Sequence, residues 1–166
     1  MQAKAFILIT LASLGQARFG QEGAVQGIIQ ALSDFGPPGA AGTLAGQTTG
    51  VLLAGGSACA KLQLADEIVA TLGDAPEVIA GAAALVAAEK NFNPFAQDVP
   101  TICNDPTLPT TAALRGIVPL VDPAVDGADI QNANSAQSLQ AAFADNGLSV
   151  ADLSRAQGFD NFVDQV

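Results

Sequence analysis

A chain of 166 residues, 49% hydrophobic and 13% charged, is long enough to bury one core, and its mean hydropathy of +0.36 argues against disorder. Sixteen acidic residues against six basic give a net charge of −10. With the basic residues scattered singly, a nucleic-acid partner is excluded. The absence of histidine removes the imidazole base and every His-ligated metal, and two cysteines are too few for a four-ligand zinc site.

Other motifs are missing as well. No Gly-x-Gly triplet occurs, so there is no dinucleotide fingerprint, and no Gly-Lys-Ser or Gly-Lys-Thr, so there is no phosphate loop. Without Trp or Tyr, a sugar-stacking platform would rest on Phe alone. No cofactor and no metal site is expected.

The chain opens with MQAKAFILITLASLGQARFG. Lys4 forms a short basic start, Ala5 to Leu14 an apolar run, and Gly15-Gln16-Ala17 a small-residue cleavage site. That layout is a secretory signal peptide over residues 1–17, leaving 18–166 as a single helical domain. The other reading is a buried N-terminal helix or strand. The run is too short for a transmembrane segment, which needs about 20 apolar residues. Removing 1–17 would leave five basic and sixteen acidic residues, a net charge of −11. In an oxidising compartment Cys59 and Cys103 pair most simply as one disulfide. The alternative is two reduced, buried thiols. No Asn-x-Ser or Asn-x-Thr sequon occurs, so N-glycosylation is not expected.

From Glu22 to Phe35, Val25, Ile28, Ile29, Leu32 and Phe35 recur at helical spacing, and Gly36-Pro37-Pro38 ends the run. Between Gly36 and Gly56, Gly42, Gly46 and Gly50 would line one smooth face if Leu44 to Ala54 is helical; an irregular loop also fits. Ser57 to Leu72 predicts a helix with Ser57 as N-cap and Gly73 as C-terminal stop. Its stripe is Cys59, Leu62, Ala65, Val69 and Leu72. Asp74, with Pro76 and Glu77, reads as a capping box for a central buried helix over Val78 to Ala88, with Lys90 suiting its dipole.

Asn91 to Pro109 holds four prolines and Cys103, and predicts a long loop that a disulfide would pin. Thr110 or Thr111 caps a short helix through Arg115. Ser135 to Asp145 predicts a helix with Leu139, Ala142 and Phe143 inward. Ser149 and Asp152 form a capping box for a helix to Gln157, and Phe159, Phe162 and Val163 suggest a last apolar turn. The fold class is all-α: a compact bundle of five to seven short helices with a Pro-rich loop stapled by one disulfide.

Chemistry is sparse. Asp122, Asp126 and Asp129 do not match the calcium-loop spacing and read as a solvated acidic turn. Asp66 and Glu67 are adjacent and cannot face each other on a helix. No catalytic residue is assigned, and an enzyme is not expected. Asn91, Phe92, Asn93 and Phe95 form the most unusual run, either a recognition surface or the lip of an apolar pocket; the other reading is that Phe92 and Phe95 simply anchor the loop to the core. With no histidine, stability is expected to be nearly flat from about pH 6 to 8.

The run from Cys59 through DEIV (Asp66 to Val69), AAEKNFNPF (Ala87 to Phe95) and Ile102-Cys103, with LSVADL (Leu148 to Leu153) and Phe159 to Phe162, resembles a group of small secreted proteins of filamentous ascomycete fungi. They are described as cell-wall or surface-associated, or as candidate effectors. The resemblance implies a secreted protein acting by interaction, as a wall component or a host-directed virulence factor, with an unknown wall or host partner. It implies no catalytic residues. The alternative from the residues is an extracellular carrier of a small apolar ligand or lipid.

Overall fold

The computed structural model of the chain describes residues 21–91 and 99–166. The signal peptide expected over residues 1–17 lies outside them. The described chain is mostly helical, with six α-helices and two short strands, so the all-α expectation holds for the bulk and is corrected at the strands.

Helix α1 (Gln21–Gln30) buries Val25 and Ile29. The helix was expected to reach Phe35, but beyond Gln30 the chain tightens into turns, with Leu32 N–H donating to Ile29 O and Phe35 N–H to Leu32 O. These turns keep Leu32 in the core and bring Gly36 (φ +67°) against Thr71 and Leu72. A Cβ at Gly36 would lie 2.7 Å from the Thr71 carbonyl oxygen, so only glycine fits.

Helix α2 (Ala40–Leu52) packs on α1 and buries Ala41, Leu44, Ala45, Thr48 and Leu52. Its three glycines do not make the packing face. Gly42, Gly46 and Gly50 are exposed, and a Cβ on any of them would meet nothing within 4 Å. The close approach is at Gly81, where a Cβ would sit 3.0 Å from Leu32 Cδ1.

Helix α3 (Ala60–Leu72) ends as expected on Gly73, whose N–H reaches Val69 O at φ +97°. At its start Cys59 holds the N-cap position, and Ser57 Oγ accepts from Cys59 N–H instead of from the helix. Helix α4 (Pro76–Ala87) is the central one, touching both α1 and α3. Ala75 rather than Asp74 precedes it, and no side-chain cap forms. Ala75 has no side-chain acceptor to offer, and Pro76 at the first helical position carries no N–H that needs one.

After α4 the chain pairs in a way local periodicity does not reveal. Strand β1 (Thr101–Cys103) runs parallel to strand β2 (Val163–Gln165), in the register Thr101 to Val163, Ile102 to Asp164 and Cys103 to Gln165. The last apolar turn expected around Phe159 to Val163 is therefore partly a strand. Phe162 stacks on Phe159 at 5.6 Å between centroids, the Arg155 guanidinium sits 4.7 Å over the Phe162 ring, and Val163 faces outward.

Between the strands, Ala112–Leu114 forms a single 3-10 turn. Neither Thr110 nor Thr111 caps it with its own hydroxyl; Asp66 of α3 accepts from the N–H groups of both, at 2.7 and 2.8 Å. The segment 117–121, outside any helix or strand, then passes through the interior. Its backbone is satisfied piecewise: Leu120 N–H by Ala87 O, Val118 N–H by Ser138 Oγ, Pro119 O by Gln131 Nε2, and both groups of Val121 by the Asn132 amide.

Helix α5 (Ala128–Gln140) exists to serve that segment. Its inward face is Ala128, Gln131, Ser135 and Ser138, while Ile130 stays 45% exposed. This corrects the expected helix over Ser135 to Asp145. The buried side is polar, so an apolar stripe is absent where one was sought. Past Gln140 the backbone is extended, Ala142 is exposed, and Phe143 N–H donates to Gly116 O. Helix α6 (Val150–Ala156) carries the expected capping box: Ser149 Oγ accepts from Asp152 N–H at 3.0 Å.

Candidate functional site

The disulfide Cys59–Cys103 is formed, with Cα atoms 4.8 Å apart and both residues buried. It joins the start of α3 to the end of β1. Gln165 of β2 closes the same corner, its Oε1 accepting from Ala58 N–H. The Pro-rich stretch is also held at its far end. Arg115 donates to the carbonyls of Pro106 and Pro109 and pairs with Asp145. The guanidinium holds the Asp145 carboxyl below the usual carboxylate range, and the Thr107 hydroxyl and N–H do the same for Asp105.

Beside the disulfide lies a small cavity lined by Lys61, Lys90, Thr101, Cys103, Leu120 and Val150, among others, with room for about one water molecule. Lys61 is on α3 and 4% exposed; Lys90 follows α4 and is 6% exposed. Lys61 Nζ donates to Ala88 O at 2.6 Å, just past the end of α4. Lys90 Nζ donates to Ala54 O at 3.0 Å, two residues past the end of α2, and to Thr101 Oγ1 at 3.2 Å. Each ammonium thus serves the carboxyl end of another helix, where dipole and orphan carbonyls both favour a cation. Lys90 was expected to suit the dipole of its own helix; instead it turns to α2.

Burial pushes the Lys61 amine down to about 7, the neighbouring Lys90 ammonium adds to the effect, and Glu89 opposes it. Burial also lowers Lys90. Against the expectation of flat stability around neutrality, a buried lysine here enters the titration range that histidine would have occupied. Lys61 had a legible signal. It lies four, seven and eleven residues before Ala65, Ile68 and Leu72, on the buried stripe of α3.

The other expected site residues separate. Asn91 is half-buried, and its N–H donates to Leu52 O at 2.8 Å, closing α2. Phe92, Asn93 and Phe95 lie outside the described residues. Asp122 Oδ1 accepts from Ala124 N–H in a turn, while Asp126 and Asp129 are exposed. Among the described residues no group of three His, Cys, Asp or Glu converges to hold a metal, and no helix is long and apolar enough to cross a membrane. Comparison with family models, with curated proteins and with solved structures finds no match to this chain.

Proposed function

We propose that this is a secreted, acidic protein acting outside the cell by interaction rather than catalysis, as a cell-wall component or a host-directed effector. The observation that carries the reading is the buried Cys59–Cys103 disulfide, a bond that persists in oxidising compartments. The signal-peptide layout of the first 17 residues agrees with it, as does the resemblance to small secreted ascomycete proteins. The ion pairs of Arg115 and Arg155 and the capping role of Asp66 assign structural work to charged groups that an enzyme would need free. The alternative of an apolar-ligand carrier has less support, because the cavity at Lys61 is far smaller than an acyl chain.

Intact mass of the protein from its native source tests the reading. The expected denatured mass is that of Arg18 to Val166 less two hydrogens, recovered from the medium or the wall fraction. A full-length chain with two free thiols inside the cell overturns it.

A further inference from the structure

Gln165 of β2 stands against both halves of the disulfide. In the parallel pairing it is the partner of Cys103. Its backbone oxygen lies 3.3 Å from Cys59 Sγ, and its side-chain Oε1 accepts at 2.6 Å from the N–H of Ala58, the residue before that cysteine. Both cysteines are buried, at 5% and 2% exposure, whereas Val163 and Asp164 of the same strand face solvent. The cavity that Cys103 shares with Lys61 and Ile102 has room for about one water, too little to admit a thiol reagent. The strand over this corner is lightly held. It is three residues long and belongs to a two-stranded sheet. Val163 N–H donates to Pro100 O and Asn104 N–H to Gln165 O, one bond at each end. Asp164 adds an ion pair with Arg155 and accepts from Asn104 Nδ2 at 2.9 Å, both in exposed positions. Exposed pairs contribute little, and a short strand with few buried contacts opens before a packed core does. Phe162, just before β2, is buried against Phe159 and marks where an opening strand stays attached. We infer that β2 is a gate over the Cys59–Cys103 disulfide: its detachment from β1, with the helices still packed, is the step that admits a dithiol reductant.

The exchange balances with the dithiol as a two-electron reductant. One of its thiols, having lost its proton, attacks a protein sulfur. The electron pair of the protein S–S bond leaves on the other sulfur, which takes up that proton. The second thiol of the reagent then closes the reagent's own disulfide, and the remaining protein sulfur departs as a thiol. Reduction cuts the cross-link between the end of β1 and the start of α3, so the gate sets how fast the staple is lost. Nothing in the gate depends on where the protein acts, and it holds or fails independently of the secreted role.

The test is the rate at which dithiothreitol, at about pH 8, reduces the full, disulfide-intact protein, read by alkylation of the freed thiols and intact mass. Asp164→Ala removes the ion pair and the Asn104 bond without touching either sulfur. It is expected to speed reduction about three- to tenfold by raising the population of the detached strand. Asp66→Ala, which weakens the 3-10 turn instead, is expected to leave the rate within about twofold, since that turn is not part of the local opening. An unchanged rate in Asp164→Ala overturns the gate. So does an equal acceleration by Asp66→Ala, because reduction would then follow unfolding of the whole chain. In the unaltered protein, guanidinium well below the unfolding midpoint is expected to raise the rate with a slope far under the global one, since detaching three residues exposes little surface. A slope equal to that of global unfolding also overturns the proposal.

Discussion

Lys61 and Lys90 exchange helices: Lys61, on α3, closes the end of α4 through Ala88 O, and Lys90, just beyond α4, closes the end of α2 through Ala54 O. The arrangement ties three helices together at the disulfide corner. It also places an ionisable amine where its charge is costly.

That placement sets the pH dependence. The Lys61 amine titrates at about 7 when folded and at 10.5 in the reference state. Its contribution to stability is fully present above 10.5 and is lost as pH falls towards 7, so stability rises with pH across this window by about 1.4 kcal/mol per unit. The lowered Lys90 amine acts in the same direction. No His or Tyr titrates against them, and neither cysteine of the disulfide does. Guanidinium midpoints at pH 6, 7, 8 and 9 are expected to climb above pH 7. A flat or falling series contradicts the burial of Lys61, and Lys61→Met is expected to flatten much of the rise.

The disulfide closes a loop of 44 residues in sequence separation. Chain entropy for such a loop is worth roughly 4 kcal/mol. Reduction with a phosphine is expected to lower the melting temperature sharply, because β1, its partner β2 and the start of α3 all meet at Cys103 and Cys59. Calorimetry of oxidised and reduced protein checks this, and an unchanged melting temperature counts against a stapling role.

Gly116 has φ +83°, and a Cβ there would lie 2.1 Å from the Phe143 carbonyl oxygen. The obstructing atoms are the backbone of Phe143, which cannot swing aside as a side chain could, so Gly116→Ala is expected to cost roughly 2–4 kcal/mol. Gly42→Ala on the open face of α2 should instead stabilise by about 0.5–1 kcal/mol. Urea unfolding of the two variants should move in opposite directions.

Ser135 and Ser138 are both buried on α5 but differ in what they do. Ser138 Oγ accepts from Val118 N–H, whereas Ser135 Oγ has no hydrogen-bond partner among the described residues. Ser138→Ala should cost about 1–3 kcal/mol by orphaning a buried N–H, and Ser135→Ala less than about 1 kcal/mol. Equal losses in chemical denaturation would show that Ser135 has a bound water or another partner.

Asp66 accepts two consecutive N–H groups, from Thr110 and Thr111, across 44 and 45 residues. Asp66→Ala is expected to cost about 1–3 kcal/mol and to loosen the 3-10 turn. Amide hydrogen exchange at Thr110 and Thr111 is the readout. Unchanged protection there would dismiss the carboxylate as their anchor.

Local chemistry alone was enough for α3, α4 and α6, and for the disulfide. Their signals are an apolar stripe at helical spacing, Gly73 as a stop, Pro76 as a start, the Ser149–Asp152 box, and two cysteines with only each other to pair with. These depend on neighbours within a few residues. Lys61 was readable in the same way, as a lysine on a buried line of α3. Tertiary structure decided the rest. The polar inner face of α5 makes sense only once segment 117–121 lies against it and needs donors and acceptors. The pairing of β1 with β2 joins residues some sixty positions apart, and neither strand is long enough to show an alternation of its own. The Gly42, Gly46 and Gly50 stripe could face a neighbour or solvent, and only packing turned it outward. The neutral-range titration of Lys61 has the same origin: composition counts ionisable groups, but burial and the company of Lys90 set where one of them loses its proton.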